Sequence, residues 1–190
     1  MAVMARNQNS RARDMIISMA VILVPVLLIV FFFTQPADQD PEKADVAGML
    51  TRAKTESPYP LLQAEGLGDD WAAVRVAWAK DGAPWITSEP ADGDSWQVGY
   101  LSPDDIYYGV QQRNRDVARF VDTVTRDGKA VGGEVEVAGR TWERYESEDG
   151  RTRSLVSRTD DVTSVVTADT DFVELEAFAG TLVEVAPNPK

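Results

Sequence analysis

The chain has 190 residues and a formal charge of −12, with no cysteine and no histidine. Those absences exclude disulfides, a thiol nucleophile, Cys/His zinc sites and a Ser-His-Asp triad, and so acidic a chain argues against binding nucleic acid or anionic lipid. Arg6, Arg11, Arg13 and Asp14 are the charges before residue 15, which leaves about −14 for everything after residue 33 at ordinary side-chain pKa values.

Residues 1–14 form a short basic tail. Residues 15–33 then run without a charge from Met15 to Phe33. As a helix this run is about 28 Å long, close to the hydrocarbon thickness of a bilayer, so the sequence predicts a transmembrane helix in contact with lipid. The arginines before it, with no matching cations just after Phe33, place the N-terminus in the cytoplasm and the remainder outside. A cleaved signal peptide is the competing expectation. The exit Phe-Phe-Phe-Thr-Gln-Pro-Ala-Asp lacks the alternating small residues of a cleavage site, which favours an uncleaved anchor. Pro25 lies mid-span, where membrane helices tolerate proline.

Residues 34–60 read as a linker containing a short helix. Asp40 is the expected N-cap and Pro41 the first helical residue. Val46, Met49, Leu50 and Ala53 fall on one thin apolar stripe, which favours weak docking, and Ser57-Pro58-Tyr59-Pro60 ends the helix. Residues 61–186 are expected to form one extracytoplasmic α+β domain. In it, 61–70 reads as a loop whose Gly66-Leu67-Gly68 lacks the Lys-Ser/Thr of a phosphate loop.

From Trp71 the period becomes two. Val74, Val76 and Trp78 alternate with Ala73, Arg75 and Ala77; Trp96, Val98 and Tyr100 form a second strand, and Ile106, Tyr108 and Val110 a third. Asp116 to Thr125 reads as a helix with its stripe at Val117, Phe120, Val121 and Val124. Val135 and Val137 turn through Ala138-Gly139 to Trp142 and Tyr145. Strands follow around Thr152–Val156 and Val162–Val166, then a helix capped by Asp171 with Phe172, Leu175, Phe178, Ala179 and Leu182 along its stripe. The order is a weak βββα pseudo-repeat. It predicts an antiparallel six- to seven-stranded sheet with two helices on one face, so that Val117, Phe120, Val121, Phe172, Leu175 and Phe178 should all address the same sheet surface. Residues 187–190 read as a disordered tail.

Four stretches carry a family resemblance: Arg11-Ala-Arg13-Asp14-Met15, Glu65-Gly66-Leu67-Gly68-Asp69-Asp70-Trp71, Tyr107-Tyr108-Gly109-Val110-Gln111-Gln112 and Gly139-Arg140-Thr141-Trp142. Over nearly its whole length the chain resembles an uncharacterised actinobacterial single-pass membrane protein family, the domain of unknown function DUF4245. The resemblance implies a bacterial envelope location and an anchor-plus-domain plan, and transfers no catalytic residue. The element order is also similar to that of small α+β domains of the photosystem-accessory type, an analogy of fold alone.

No residue pattern specifies a catalytic, metal or cofactor site. Asp69-Asp70, Asp104-Asp105 and Asp160-Asp161, with the group Glu143, Glu146, Glu148 and Asp149, offer paired carboxylates of the kind a cell-surface hydrolase would use. Each falls at or near an expected turn, where Asp caps or solvates. Asp92-Gly93-Asp94 and Asp169-Thr170-Asp171 lack the full pattern of a calcium loop. Two aromatics fit no core period: Trp85, in a loop with Gly82, Pro84 and Pro90, and Tyr107, out of phase with Ile106 and Tyr108. The pair is the expected binding surface for a sugar or peptide. The resulting expectation is a non-catalytic binding or accessory module of the envelope, recognising a partner protein or wall component, with the carboxylate hydrolase as the alternative.

Overall fold

The computed structural model describes residues 8–33, 43–86 and 88–188, and within 8–33 the side chains of 15–30. The chain divides into two units after Asp40. In the first, α1 (Gln8–Phe33) is one continuous helix running through Pro25. Its side chains from 15 to 30 are all exposed. Among the described residues no helix is long and apolar enough to cross a membrane. The transmembrane helix expected over 15–33 is therefore not shown among the described residues. Arg6 lies outside the described residues, as do the side chains of Arg11 and Arg13.

The second unit opens later than the sequence predicts. Asp40 and Pro41 lie outside the described residues, and Lys43 to Asp45 are not helical. Instead Asp45 is the N-cap of α2 (Val46–Glu56), its carboxylate accepting from the Gly48 amide at 2.9 Å. The Ala44 amide donates to the Ala73 carbonyl at 2.7 Å. Ala53 is fully buried, and Val46, Met49 and Leu50 pack against the same core. Glu56 closes the contact by accepting from the Trp78 indole N–H at 2.9 Å, and that bond holds its carboxyl below the usual range. The helix is therefore docked, not weakly held: small Ala53 lets the backbone approach the sheet, which compensates for the thin stripe.

Seven antiparallel strands make the main sheet: β2 (Ala72–Ala79), β3 (Ser95–Leu101), β4 (Tyr107–Arg113), β5 (Lys129–Val137), β6 (Arg140–Glu146), β7 (Arg153–Arg158) and β8 (Thr163–Ala168). Their order is β2-β3-β4-β8-β7-β6-β5. The chain leaves the sheet at β4, passes through α3 (Val117–Val124), re-enters at the far edge as β5 and returns inward by hairpins until β8 pairs with β4. After β8 comes α4 (Phe172–Ala179), capped by Asp171 on the Glu174 amide at 2.9 Å, and then β9 (Leu182–Val185). β9 pairs with β1 (Leu61–Ala64) as a separate two-stranded sheet, cut from what the sequence reads as loop and helix end. The described part of the tail is also tied down, since the Asn188 amide donates to the Lys54 carbonyl at 2.8 Å; residues 189 and 190 lie outside the described residues.

The helices do not share a sheet face. Phe120 and Val121 of α3 pack on Val156 and Val165. Leu175 and Phe178 of α4 belong instead with Tyr100, Tyr108, Leu155 and Val166. Neighbouring strand residues point to opposite sides, so α3 covers one face while α4, α2 and β1 accompany the other. The expectation of two helices on one face is thus corrected. The physical reason is visible in β8, where every residue of Thr-Ser-Val-Val-Thr-Ala is buried: a central strand apolar on both sides needs cover on both.

A buried polar latch fixes β1 to the sheet. The Gln112 side chain, fully buried, accepts from the Leu62 amide at 2.7 Å and donates to the Pro60 carbonyl at 3.1 Å and the Ser164 hydroxyl at 3.2 Å. The Trp96 indole donates to the Leu62 carbonyl at 2.8 Å, and the Ala64 amide donates to the Tyr100 hydroxyl at 3.0 Å. Side chains thereby satisfy β1 on the edge that β9 does not use.

Candidate functional site

On the α3 face, α3 covers only part of the sheet, and beside it lies a concavity of about 790 Å³. Strand register builds its floor. One row crosses five strands as Arg75, Gly99, Gly109, Thr167 and Ser154, and the next runs Ala77, Gln97, Gln111, Val165 and Val156. The two glycines are consequential. A Cβ at Gly99 would lie 2.1 Å from the Tyr107 hydroxyl, and one at Gly109 would lie 3.2 Å from a carbon of the same ring. Tyr107 therefore lies over the Gly99–Gly109 pair, an aromatic covering a bare stretch of sheet. Its outer surface stays open, and the residue is 39% exposed. The Gln97 amide nitrogen donates to the Tyr107 hydroxyl at 3.4 Å.

The charged lining is balanced. Arg75, Arg126, Asp105 and Asp169 all line the concavity. Asp169 is engaged: it accepts from the Thr152 hydroxyl at 2.5 Å and is paired with Arg126 at 3.6 Å and Arg151 at 3.8 Å. Arg75 and the Gln111 side chain make no ion pair or side-chain hydrogen bond among the described residues. Further along the same face Arg113 bonds the Ser95 hydroxyl at 3.0 Å and stacks 5.0 Å from the Phe120 ring centre, pinning α3; burial lowers its pKa from the ordinary arginine value.

Of the two expected binding aromatics, only Tyr107 lines this concavity. Trp85 stands at the tip of an extension of the β2–β3 hairpin, where the Gly82 amide donates to the Ala91 carbonyl at 2.9 Å, the Ala91 amide to the Ala83 carbonyl at 2.8 Å and the Trp85 amide to the Glu89 carbonyl at 2.8 Å. It is half-buried and belongs to neither core cluster. Tyr107 pairs with Leu101 at the other end of β3, so the strand's length, about 20 Å, separates the pair. Gln97, Gln111, Thr167 and Arg75 are site residues the sequence reading passes over. Their signal is the off-phase half of each alternating strand: Gln97 and Gly99 between core residues of β3, and Gly109 and Gln111 between those of β4.

The acid pairs lie at turns, in ion pairs or in caps. Asp69, Asp70, Asp160 and Asp161 are exposed at turns. Asp105 has a left-handed φ of 58°. Glu143 pairs with Arg158, Glu146 with Arg153, and Asp149 accepts from the Ser147 hydroxyl, a bond that lowers its pKa. In the Asp92-Gly93-Asp94 turn, Asp94 accepts from the Asn114 amide side chain at 2.9 Å and the Asp81 amide at 3.2 Å. Asp171 is spent as the α4 cap. Among the described residues no group of three or more acidic side chains is disposed to hold a metal.

Comparison with curated proteins finds no match. Among solved structures the chain is similar to a Pseudomonas aeruginosa MucA/MucB complex, with a TM-score of 0.36 and 15% identity, over 66% of this chain and 35% of that one. The chain thus corresponds to about a third of that structure's chain, and a likeness at this level carries no argument about fold or partner. The family is established by sequence: the model for the family described as protein of unknown function (DUF4245) matches residues 7–182, and the chain belongs to it.

Proposed function

We propose that this protein is a membrane-anchored, extracytoplasmic, non-catalytic binding module of the cell envelope, and that it engages its envelope partner at the α3-face concavity. The observation that carries this reading is Tyr107, partly exposed over the Gly99–Gly109 pair inside a concavity of about 790 Å³, a size typical of ligand sites. Rigid aromatic area that is already desolvated on one side binds at small entropic cost. The binding reading is favoured over hydrolysis because one of the two acids lining the concavity, Asp169, is held by Thr152, Arg126 and Arg151 and does not form a free carboxylate pair with Asp105.

The anchor is supported by the continuous helix from Gln8 to Phe33 and by the uncharged sequence from Met15 to Phe33. Arg6, Arg11 and Arg13 support a cytoplasmic N-terminus. A reporter fused after Lys190 should be active only outside the cytoplasm; activity inside would overturn the topology. Tyr107→Ala should abolish co-sedimentation of the exterior part with envelope fragments while leaving a single cooperative melt, since the ring packs on one side of the sheet and is not part of either core cluster. Unchanged co-sedimentation would refute the site.

A further inference from the structure

Building on that reading, we propose that the α3-face concavity takes a neutral saccharide, with Tyr107 as the stacking platform for one sugar ring. Three observations converge. The first is charge: the chain carries −12 overall, yet in this concavity Arg75 and Arg126 offset Asp105 and Asp169. The lining itself thus has no excess of either sign for an ion to pair with, and the acidic surroundings oppose an anion. The second is the polar floor. Gln97 and Gln111 present amides that both donate and accept, and the Gln111 side chain and Arg75 have no partner among the described residues. Sugar hydroxyls, also donors and acceptors, match such groups; an apolar ligand would leave them unpaired. The third is the platform: the Tyr107 ring sits over Gly99 and Gly109, in the space their side chains would fill, and its exposed part is available to the C–H face of a pyranose.

An extended peptide is disfavoured by topology. The floor is centred on β3, β4 and β8 in the middle of the sheet, and the edge strand β2 contributes only Val74 and Arg75 at its rim, so a strand added to that edge would lie beside the Tyr107 platform and not on it.

The test is a calorimetric titration of the full chain in a detergent without a sugar head group, with cellotriose, maltotriose and chitotriose each raised to about 10 mM. At least one should bind with a Kd of about 1 mM or tighter. Tyr107→Ala should weaken it tenfold or more. Gly99→Ala should do the same with the tyrosine present, because its Cβ would occupy the space of the ring edge and swing Tyr107 off the floor; Val173→Ala, on the solvent side of α4, should bind as the parent does. Failure of all three trisaccharides, or affinity unchanged in both platform variants, overturns the inference. If the sugars fail while envelope association still depends on Tyr107, the saccharide is wrong and the binding reading stands; if that association is also indifferent to Tyr107, both fall.

Discussion

Replacing Trp96 with alanine should lower the unfolding free energy by about 3–5 kcal/mol. Trp96 is fully buried, lies opposite Trp78 on β2 and Gln112 on β4, and donates its indole N–H to Leu62. The truncation removes the largest apolar group under β1 and leaves a buried carbonyl unpaired. Trp96→Phe keeps most of the volume and loses only the hydrogen bond, so it should cost about 1–2 kcal/mol. Urea unfolding of the full chain in non-ionic detergent, followed by far-ultraviolet circular dichroism, reads both. A cost below about 1 kcal/mol for the alanine variant would mean that β1 is not held against the sheet as described.

Gln112→Leu should also destabilise strongly, by about 3 kcal/mol, although it places an apolar residue in an apolar core. Transfer free energy alone would predict a gain. The loss arises because the Leu62 amide, the Pro60 carbonyl and the Ser164 hydroxyl all rely on the Gln112 amide, and a buried group left without its partner costs its full desolvation. Hydrogen exchange at the Leu62 amide should quicken in this variant by more than at strand amides far from β1. Equal protection with unchanged stability would show that water or a rearranged backbone replaces the glutamine.

Much of the architecture is legible in local periodicity. Val76 and Trp78, Trp96, Val98 and Tyr100, and Tyr108 and Val110 alternate as the core-facing residues of β2, β3 and β4, and all line one cluster. Asp171 caps the helix its position announces. What periodicity does not hold is the face on which a helix lands. Phe120 and Phe178 mark apolar stripes equally well, but only the strand order, with β4 leading across to β5 at the opposite edge, sends α3 and α4 to different sides. The paired valines at 165 and 166 carry the hint that both faces are covered. Strands as short as β1 and β9 give too few residues for a period; β1 is recognised through Gln112, Trp96 and Tyr100 reaching over to it, and β9 through its pairing with β1.

The candidate site divides in the same manner. The off-phase position of Tyr107 marks a side chain on the face away from the Tyr108 core, and the concavity lies there. Trp85 has the same kind of signal with a different cause: it fits no period because it sits in a turn, where Ser88 adopts a left-handed φ of 66°. Gly99 and Gly109 look unremarkable in sequence. They acquire meaning from register, which sets them side by side and gives the Tyr107 ring a place to lie.

The central claim, that the α3-face concavity is where the protein meets its envelope partner, is tested most directly by photo-crosslinking in intact cells. A benzophenone amino acid is placed at position 107, and in a second strain at position 173, where Val173 is 76% exposed on α4. The account predicts a discrete envelope adduct from position 107 that is absent from position 173. No adduct at 107, or the same adducts from both positions, would contradict it.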